Sequence, residues 1–314
     1  MWNMQINQKL TGFLLTRQWR DLRDGINLSF WACTANGPVH ISIEKQQAVC
    51  FIRRKNALKL EASIQRNQLN LKTLQQQAVD GLYFTQQRQL NALREHLAYD
   101  KSQLFESEVK PTERYLMERF ITASLEISGA AIQREGYLEY INPVLKPATY
   151  VPDLRWVSLD IETEDLRGKL YSIAVVSDQA EQVFMVQEKP QSFEGSDRII
   201  WCNSEKQALQ RFFAWMKLHD PDVIIGWNVI AFDLDFLQWK CKQLCISFDL
   251  GRGNSTEQGA AILAPQQSGH IHIARIPGRF VLDGITSLRG AFWSFESFAL
   301  DYVAEKLLGR KKLI

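Results

Sequence analysis

Arg155-Trp-Val-Ser-Leu-Asp-Ile-Glu-Thr163 alternates apolar and polar residues, and two of its polar positions are carboxylates. Val157, Leu159 and Ile161 fall on one face of a predicted strand, and Ser158, Asp160 and Glu162 on the other. Two carboxylates are thus held side by side on a rigid element, in a run otherwise suited to burial. Like charges that close repel, and burying them is costly unless something compensates. Hard carboxylate oxygens suit Mg²⁺ or Mn²⁺, so a divalent cation is one compensation. The other reading is a half-exposed edge strand whose outer face is acidic. Asp-x-Glu by itself does not separate the two.

Downstream, short strands and helices alternate. Strands are predicted at Trp156–Ile161, Leu170–Val176 and Gln182–Val186. Ser204–Leu218 reads as a helix, with Ser204 as its N-cap and an apolar stripe at Leu209, Phe212, Phe213 and Met216. Asp220-Pro221 stops it, Val223–Trp227 reads as a buried strand, and Asp233–Leu244 as a further helix. This order is an α/β signature. Phe248–Gly278 reads as an irregular insertion, with His270–Ala274 as a hairpin arm. A strand at Phe280–Asp283 and a helix at Ser297–Leu308 follow. In open α/β sheets functional groups collect at the carboxyl ends of strands, which is where Asn228-Val-Ile-Ala-Phe232-Asp233 falls. Asp233 is either a site residue or a first-turn acid favoured by the helix dipole. Together with Asp160 and Glu162 on an earlier strand, it would complete three carboxylates around one metal site.

Upstream, Asn142-Pro-Val-Leu-Lys-Pro-Ala-Thr-Tyr-Val-Pro152 holds three prolines in eleven residues and reads as a connector. The predicted domains are therefore 1–150 and 151–314, consistent with 314 residues being long for a single core. The first half reads as strands at Gly12–Trp19, Ile26–Thr34, Val39–Ile43 and Ala48–Arg53, with helices at Gln86–Tyr99 and Pro111–Phe120. No apolar run approaches the ~20 residues of a membrane span, and no secretory signal is visible, so the expected location is cytoplasmic. Five scattered cysteines read as ordinary reduced thiols. The net charge of +2 excludes the strong basic field of a DNA coat protein. Residues 1–150 carry 19 Lys and Arg against 14 Asp and Glu, and residues 151–314 carry 18 against 21, a difference too small to decide a function.

Asp160-Ile-Glu162 resembles the first exonuclease motif of family B DNA polymerases, and Asn228-x-x-x-Phe232-Asp233 resembles their second. The likeness is greatest to bacterial members. Leu250-Gly-Arg-Gly-Asn-Ser255, Gly278-Arg-Phe-Val-Leu-Asp-Gly284, Ala291-Phe-Trp293 and Val303–Gly309 have the character and order of that exonuclease domain. The resemblance implies a ribonuclease-H-like α/β domain, a mixed sheet flanked by helices, preceded by an α+β N-terminal domain. The family's third motif, Tyr-x-x-x-Asp, is missing: none of the eight tyrosines has an aspartate four residues on. No Asp-Thr-Asp polymerase signature is present either. The expectation is the front portion of such a polymerase, cut before the third exonuclease motif.

What the family resemblance implies is a 3′–5′ proofreading site using two Mg²⁺ ions, with Mn²⁺ able to substitute. Asp160 would bind or bridge both ions, Glu162 would hold the nucleophile-side ion, and Asp233 the second. Asn228 and Phe232 would position the DNA strand, though Phe232 fits core packing equally well. The implied partners are a frayed or single-stranded 3′ end, primer-template DNA and the rest of a monomeric polymerase chain acting in replication and repair at the bacterial nucleoid. A mispaired end unpairs at lower cost and reaches such a site more often. Two rival readings stand beside this one: a free-standing ribonuclease-H-like exonuclease, and a non-catalytic nucleic-acid-binding module on the same fold.

Overall fold

The computed structural model describes residues 6–97, 104–190, 197–253, 262–265 and 272–310. The chain forms two compact units, Met1–Pro152 and Asp153–Ile314.

In the first unit, β1 (Ile6–Leu22), β2 (Gly25–Thr34) and β3 (Gly37–Gln46) form an antiparallel meander. Then come β4 (Ala48–Arg53), β5 (Gln65–Lys72), β6 (Ala78–Phe84), α1 (Gln87–His96), β7 (Leu104–Phe105) and α2 (Pro111–Met117). β8 (Ser124–Arg134), β9 (Tyr137–Ile141) and β10 (Val144–Pro147) complete the unit. β9 runs parallel to β3, and β8 pairs with both β9 and β1, so five strands close on themselves as a barrel. This is the strand order of an OB-type Greek-key barrel. Closure removes exposed sheet edges and encloses Ile26, Leu28, Phe30, Val39 and Ile41, all fully buried. β5, β6, β4 and β7 form a second sheet.

Several expectations need correction here. The proline-rich connector starts later than predicted: Val144–Pro147 is an edge strand on β8, where Pro147 can sit at the end without a ladder donor. The sequence reading missed the strands β8 and β9, although Leu125 and Ile127 alternate with Ser124, Glu126 and Ser128 in β8; their pairing is decided by barrel closure. α2 stops at Met117 rather than Phe120.

The second unit is built on a six-stranded sheet. β11 (Trp156–Thr163), β12 (Leu170–Val176) and β13 (Glu181–Val186) are antiparallel neighbours. β14 (Ile199–Cys202), which the sequence reading missed, joins parallel to β13. α3 (Glu205–His219) begins at Ser204, whose Oγ accepts from the Gln207 N–H at 3.2 Å. β15 (Val223–Gly226) and β18 (Phe280–Asp283) then extend the sheet parallel to β11, giving the order β14-β13-β12-β11-β15-β18. This is the ribonuclease-H-like arrangement, with β11 at its centre. β11 is therefore not an edge strand: it is paired on both sides over its first half, and Asp160 and Glu162 lie on the half that runs on past β15, laddered to β12. β16 (Ile262–Pro265) and β17 (His272–Arg275) form a separate hairpin. Only part of the His270–Ala274 arm is seen, since His270 lies outside the described residues. A π-helical turn at Ile230–Leu234 leads into α4 (Asp235–Gln243), and α5 (Gly284–Gly290) and α6 (Leu300–Leu308) follow β18.

Candidate active site

Alternation along β11 puts Val157, Leu159 and Ile161 in the core at 4% exposure or less, and leaves Asp160 and Glu162 exposed on the opposite face. The ladder to β12 slips between Glu162 and Thr163. The extra residue is Tyr171 of β12, so the strand facing Glu162 and Thr163 bends at the end of the ladder.

Asp233 arrives from a different element. β15 ends at Gly226, where an added Cβ would lie 2.8 Å from the Leu159 carbonyl oxygen, so only glycine lets β15 come this close to β11. Asn228 takes left-handed backbone angles (φ 58°), a conformation asparagine tolerates better than most residues. The chain then winds into the π-helical turn, in which the Leu234 N–H donates to the Val229 carbonyl at 2.8 Å. The sequence predicted an α-helix beginning at Asp233; the extra residue per turn instead rotates Asp233 inward. It is 1% exposed, and its Oδ1 accepts the Ile161 N–H at 3.0 Å, so it sits directly against the strand that carries Asp160 and Glu162.

The electrostatics match that placement. Burial, and after it the charge of Asp160, push the Asp233 carboxyl up to about 8. Asp283, which the sequence reading did not single out, adds to the rise. It caps α5 by accepting from the Thr286 N–H at 3.0 Å, and its Oδ2 accepts from the Ile230 N–H at 3.1 Å, so it holds the π-helical turn in place. Its signal was present in the sequence: like Asp233, it lies at the carboxyl end of a predicted strand.

Asn228 and Phe232 are both half-buried near the same strand end. The Asn228 carbonyl accepts from the Phe232 N–H at 3.0 Å, and the Phe232 ring packs against the core cluster, so the packing reading of Phe232 is realised at least in part. Asp235, in contrast, faces outward and pairs with Arg167 at 2.6 Å.

Among the described residues, no three Asp, Glu, His or Cys side chains are drawn close enough together to enclose an ion. The donors nevertheless suit a hard divalent cation. They are carboxylate oxygens only, and Asp160 and Glu162 carry theirs on the exposed face of β11. A dication would also relieve the repulsion between Asp160 and buried Asp233.

A ribonuclease-H-like sheet with acidic groups at the carboxyl ends of its central strands defines a nuclease-type domain. The sequence profile of the DNA polymerase family B exonuclease domain matches residues 102–303, and that of the DNA polymerase II N-terminal domain matches residues 12–47. The chain belongs to the family B DNA polymerases and corresponds to their N-terminal and exonuclease region. DNA polymerase II of Escherichia coli (strain K12) is 38% identical over 96% of this chain and 39% of its own length. A DNA polymerase of Thermococcus kodakarensis is 24% identical over 74% of this chain and 12% of its own length. The structure of the family B DNA polymerase from the hyperthermophilic archaeon Pyrobaculum calidifontis superposes with a TM-score of 0.70 at 17% identity, over 96% of this chain and 40% of that one. The chain thus spans about two fifths of the length of the Escherichia coli relative.

Proposed function

We propose that these residues form the N-terminal and proofreading region of a polymerase that synthesises DNA and removes mispaired 3′-terminal nucleotides. The observation that carries the reading is the seating of buried Asp233 against the Asp160-Ile-Glu162 strand. Asp160, Glu162 and Asp233 are the residues that would hold two Mg²⁺ or Mn²⁺ ions. When bound, the ions supply an activated water and charge stabilisation for the leaving 3′ oxygen. Asp233, fixed by the Ile161 N–H, would provide the immobile ligand, and Asp160 and Glu162 would supply the others from the exposed face of β11. Asn228, held in its left-handed turn, would orient the sugar-phosphate of the terminal nucleotide, with Phe232 packed behind it. The expected partners are a single-stranded or frayed 3′ end, primer-template DNA and further polymerase domains, and the expected location is the bacterial cytoplasm. No described helix is long and apolar enough to cross a membrane.

These 314 residues contain no Tyr-x-x-x-Asp. A site short of one carboxylate should lose several kcal/mol of transition-state stabilisation, hence orders of magnitude in rate. The test is release of labelled nucleotide from a single-stranded 3′ end in Mg²⁺ or Mn²⁺. Slow release, abolished by Asp160→Ala, is expected. Release that persists unchanged in the Asp160→Ala protein would show that the reaction does not use this strand.

A further inference from the structure

The loop after Glu162 is tied to the helix after Asp233 by a buried lysine, which also pairs with the first residue of α3. Lys240 lies seven residues beyond Asp233 on α4 and its side chain is only 4% exposed. Its ammonium donates to the Gly168 carbonyl at 2.7 Å and pairs with Glu205 at 2.8 Å. The same Glu205 oxygen accepts the Leu170 N–H at 2.6 Å, at the start of β12. A second link lies nearer the surface, where Arg167 pairs with Asp235. The Trp239 ring has the Lys240 ammonium 4.9 Å and the Arg167 guanidinium 5.4 Å from its centroid. The β11–β12 hairpin is thereby fastened to α4 from two sides.

A buried ammonium is a costly way to stabilise a fold, since an apolar side chain of similar length fills such a space without the desolvation penalty. What the charge adds is direction, because the ammonium must donate to acceptors, here a carbonyl and a carboxylate in fixed places. The fastening grips Leu170, the β12 residue paired with Thr163 next to Glu162, and Gly168 just before it, and its other end is on the helix continuous with Asp233. We propose that Lys240, assisted by Glu205 and Arg167, is a positioning residue that sets the placement of Glu162 relative to Asp233. This rests on the reading of Asp160, Glu162 and Asp233 as metal-binding carboxylates. Groups bonded directly to a metal ligand cost about 10- to 100-fold in metal affinity when lost, and a clamp one step further out should fall at the lower end of that range.

The experiment is calorimetric titration of the 314-residue chain with Mn²⁺, alongside Lys240→Met, Lys240→Arg and Arg167→Gln. Lys240→Met should weaken Mn²⁺ binding about tenfold. Lys240→Arg, which keeps the charge, should recover most of the loss, and Arg167→Gln should weaken binding by a smaller factor. A clamp that served stability alone would lower the melting temperature and leave Mn²⁺ affinity as it was; that result in folded Lys240→Met overturns the proposal. Should Lys240→Met fail to fold, Arg167→Gln decides, since its half-exposed side chain is not needed for the core, and unchanged affinity there is equally fatal. A wild-type chain that takes up no Mn²⁺ would instead remove the metal reading itself, and the positioning role with it.

Discussion

Asp233 combines two demands that usually conflict: it is buried like a core residue and acidic like a ligand. Its Oδ1 satisfies the Ile161 N–H, which would otherwise be a buried donor without a partner. The charge and the acceptor can therefore be separated by substitution. Asp233→Asn keeps an acceptor at the same place and removes the like-charge contact with Asp160, so the folded chain should melt no lower than wild type while Mn²⁺ binding is lost. Asp233→Leu removes the acceptor as well and should cost about 1–3 kcal/mol in urea denaturation. The residue types were legible in the sequence, and so was the position of Asp233 after a buried strand. That its side chain turns inward was not, because the π-helical turn arises from how Gly226, Asn228 and Asp283 seat that segment on the sheet rather than from any local periodicity.

At the scale of elements, the amino ends of the strands are as charged as the carboxyl ends. Arg252 is buried and donates to Asp220 at 2.8 Å through Nε, to Asp222 at 2.8 Å through Nη2 and to the Gly278 carbonyl at 2.8 Å through Nη1. Arg279, next to it, donates to the Leu250 carbonyl at 2.7 Å, and burial with the neighbouring Arg252 charge pushes its guanidinium down to about 10. Arg155 joins from the start of β11, with a 3.0 Å contact to Asp220. These groups bind the beginnings of β11, β15 and β18 into one lock, at the opposite strand ends from Asp160, Asp233 and Asp283. Arg252→Leu leaves a buried carboxylate short of its partner and should destabilise the second unit by about 3–5 kcal/mol in denaturant titration. Mn²⁺ affinity of the folded fraction should not change. The sequence showed Leu250-Gly-Arg-Gly and Gly278-Arg only as family-like stretches; their shared function as counter-ions for Asp220 and Asp222 required the insertion to fold back onto the sheet.

For the molecule as a whole, acid should bear on the first unit through Asp80 and Glu139. Asp80 is 3% exposed; burial opposes its ionisation, but hydrogen bonds from Arg54 and Arg66, each at 2.9 Å, outweigh that and hold its carboxyl below the usual range. Glu139 is lowered first by His40, at 3.2 Å across the parallel β3–β9 pair that closes the barrel, and then, against burial, by Arg134. A depressed folded-state pKa contributes stability that is present above the unfolded value of about 4 and is lost as pH falls through the folded value. Amide exchange in the first unit should therefore quicken as pH is lowered below about 4, after correction for intrinsic rates, and Asp80→Asn should flatten that dependence. The sequence by itself determined the α/β class of the second half, a strand with its paired carboxylates, and the family to which both motifs point, because each rests on local alternation or on a short fixed spacing. Tertiary structure decided the rest. It closed β1, β2, β3, β8 and β9 into a barrel, made β11 a central strand rather than an edge, recruited Asp283, and drew Lys240 to the hairpin beyond Glu162. Those outcomes depend on contacts between residues tens of positions apart, where burial and charge pairing, not local pattern, set the energy.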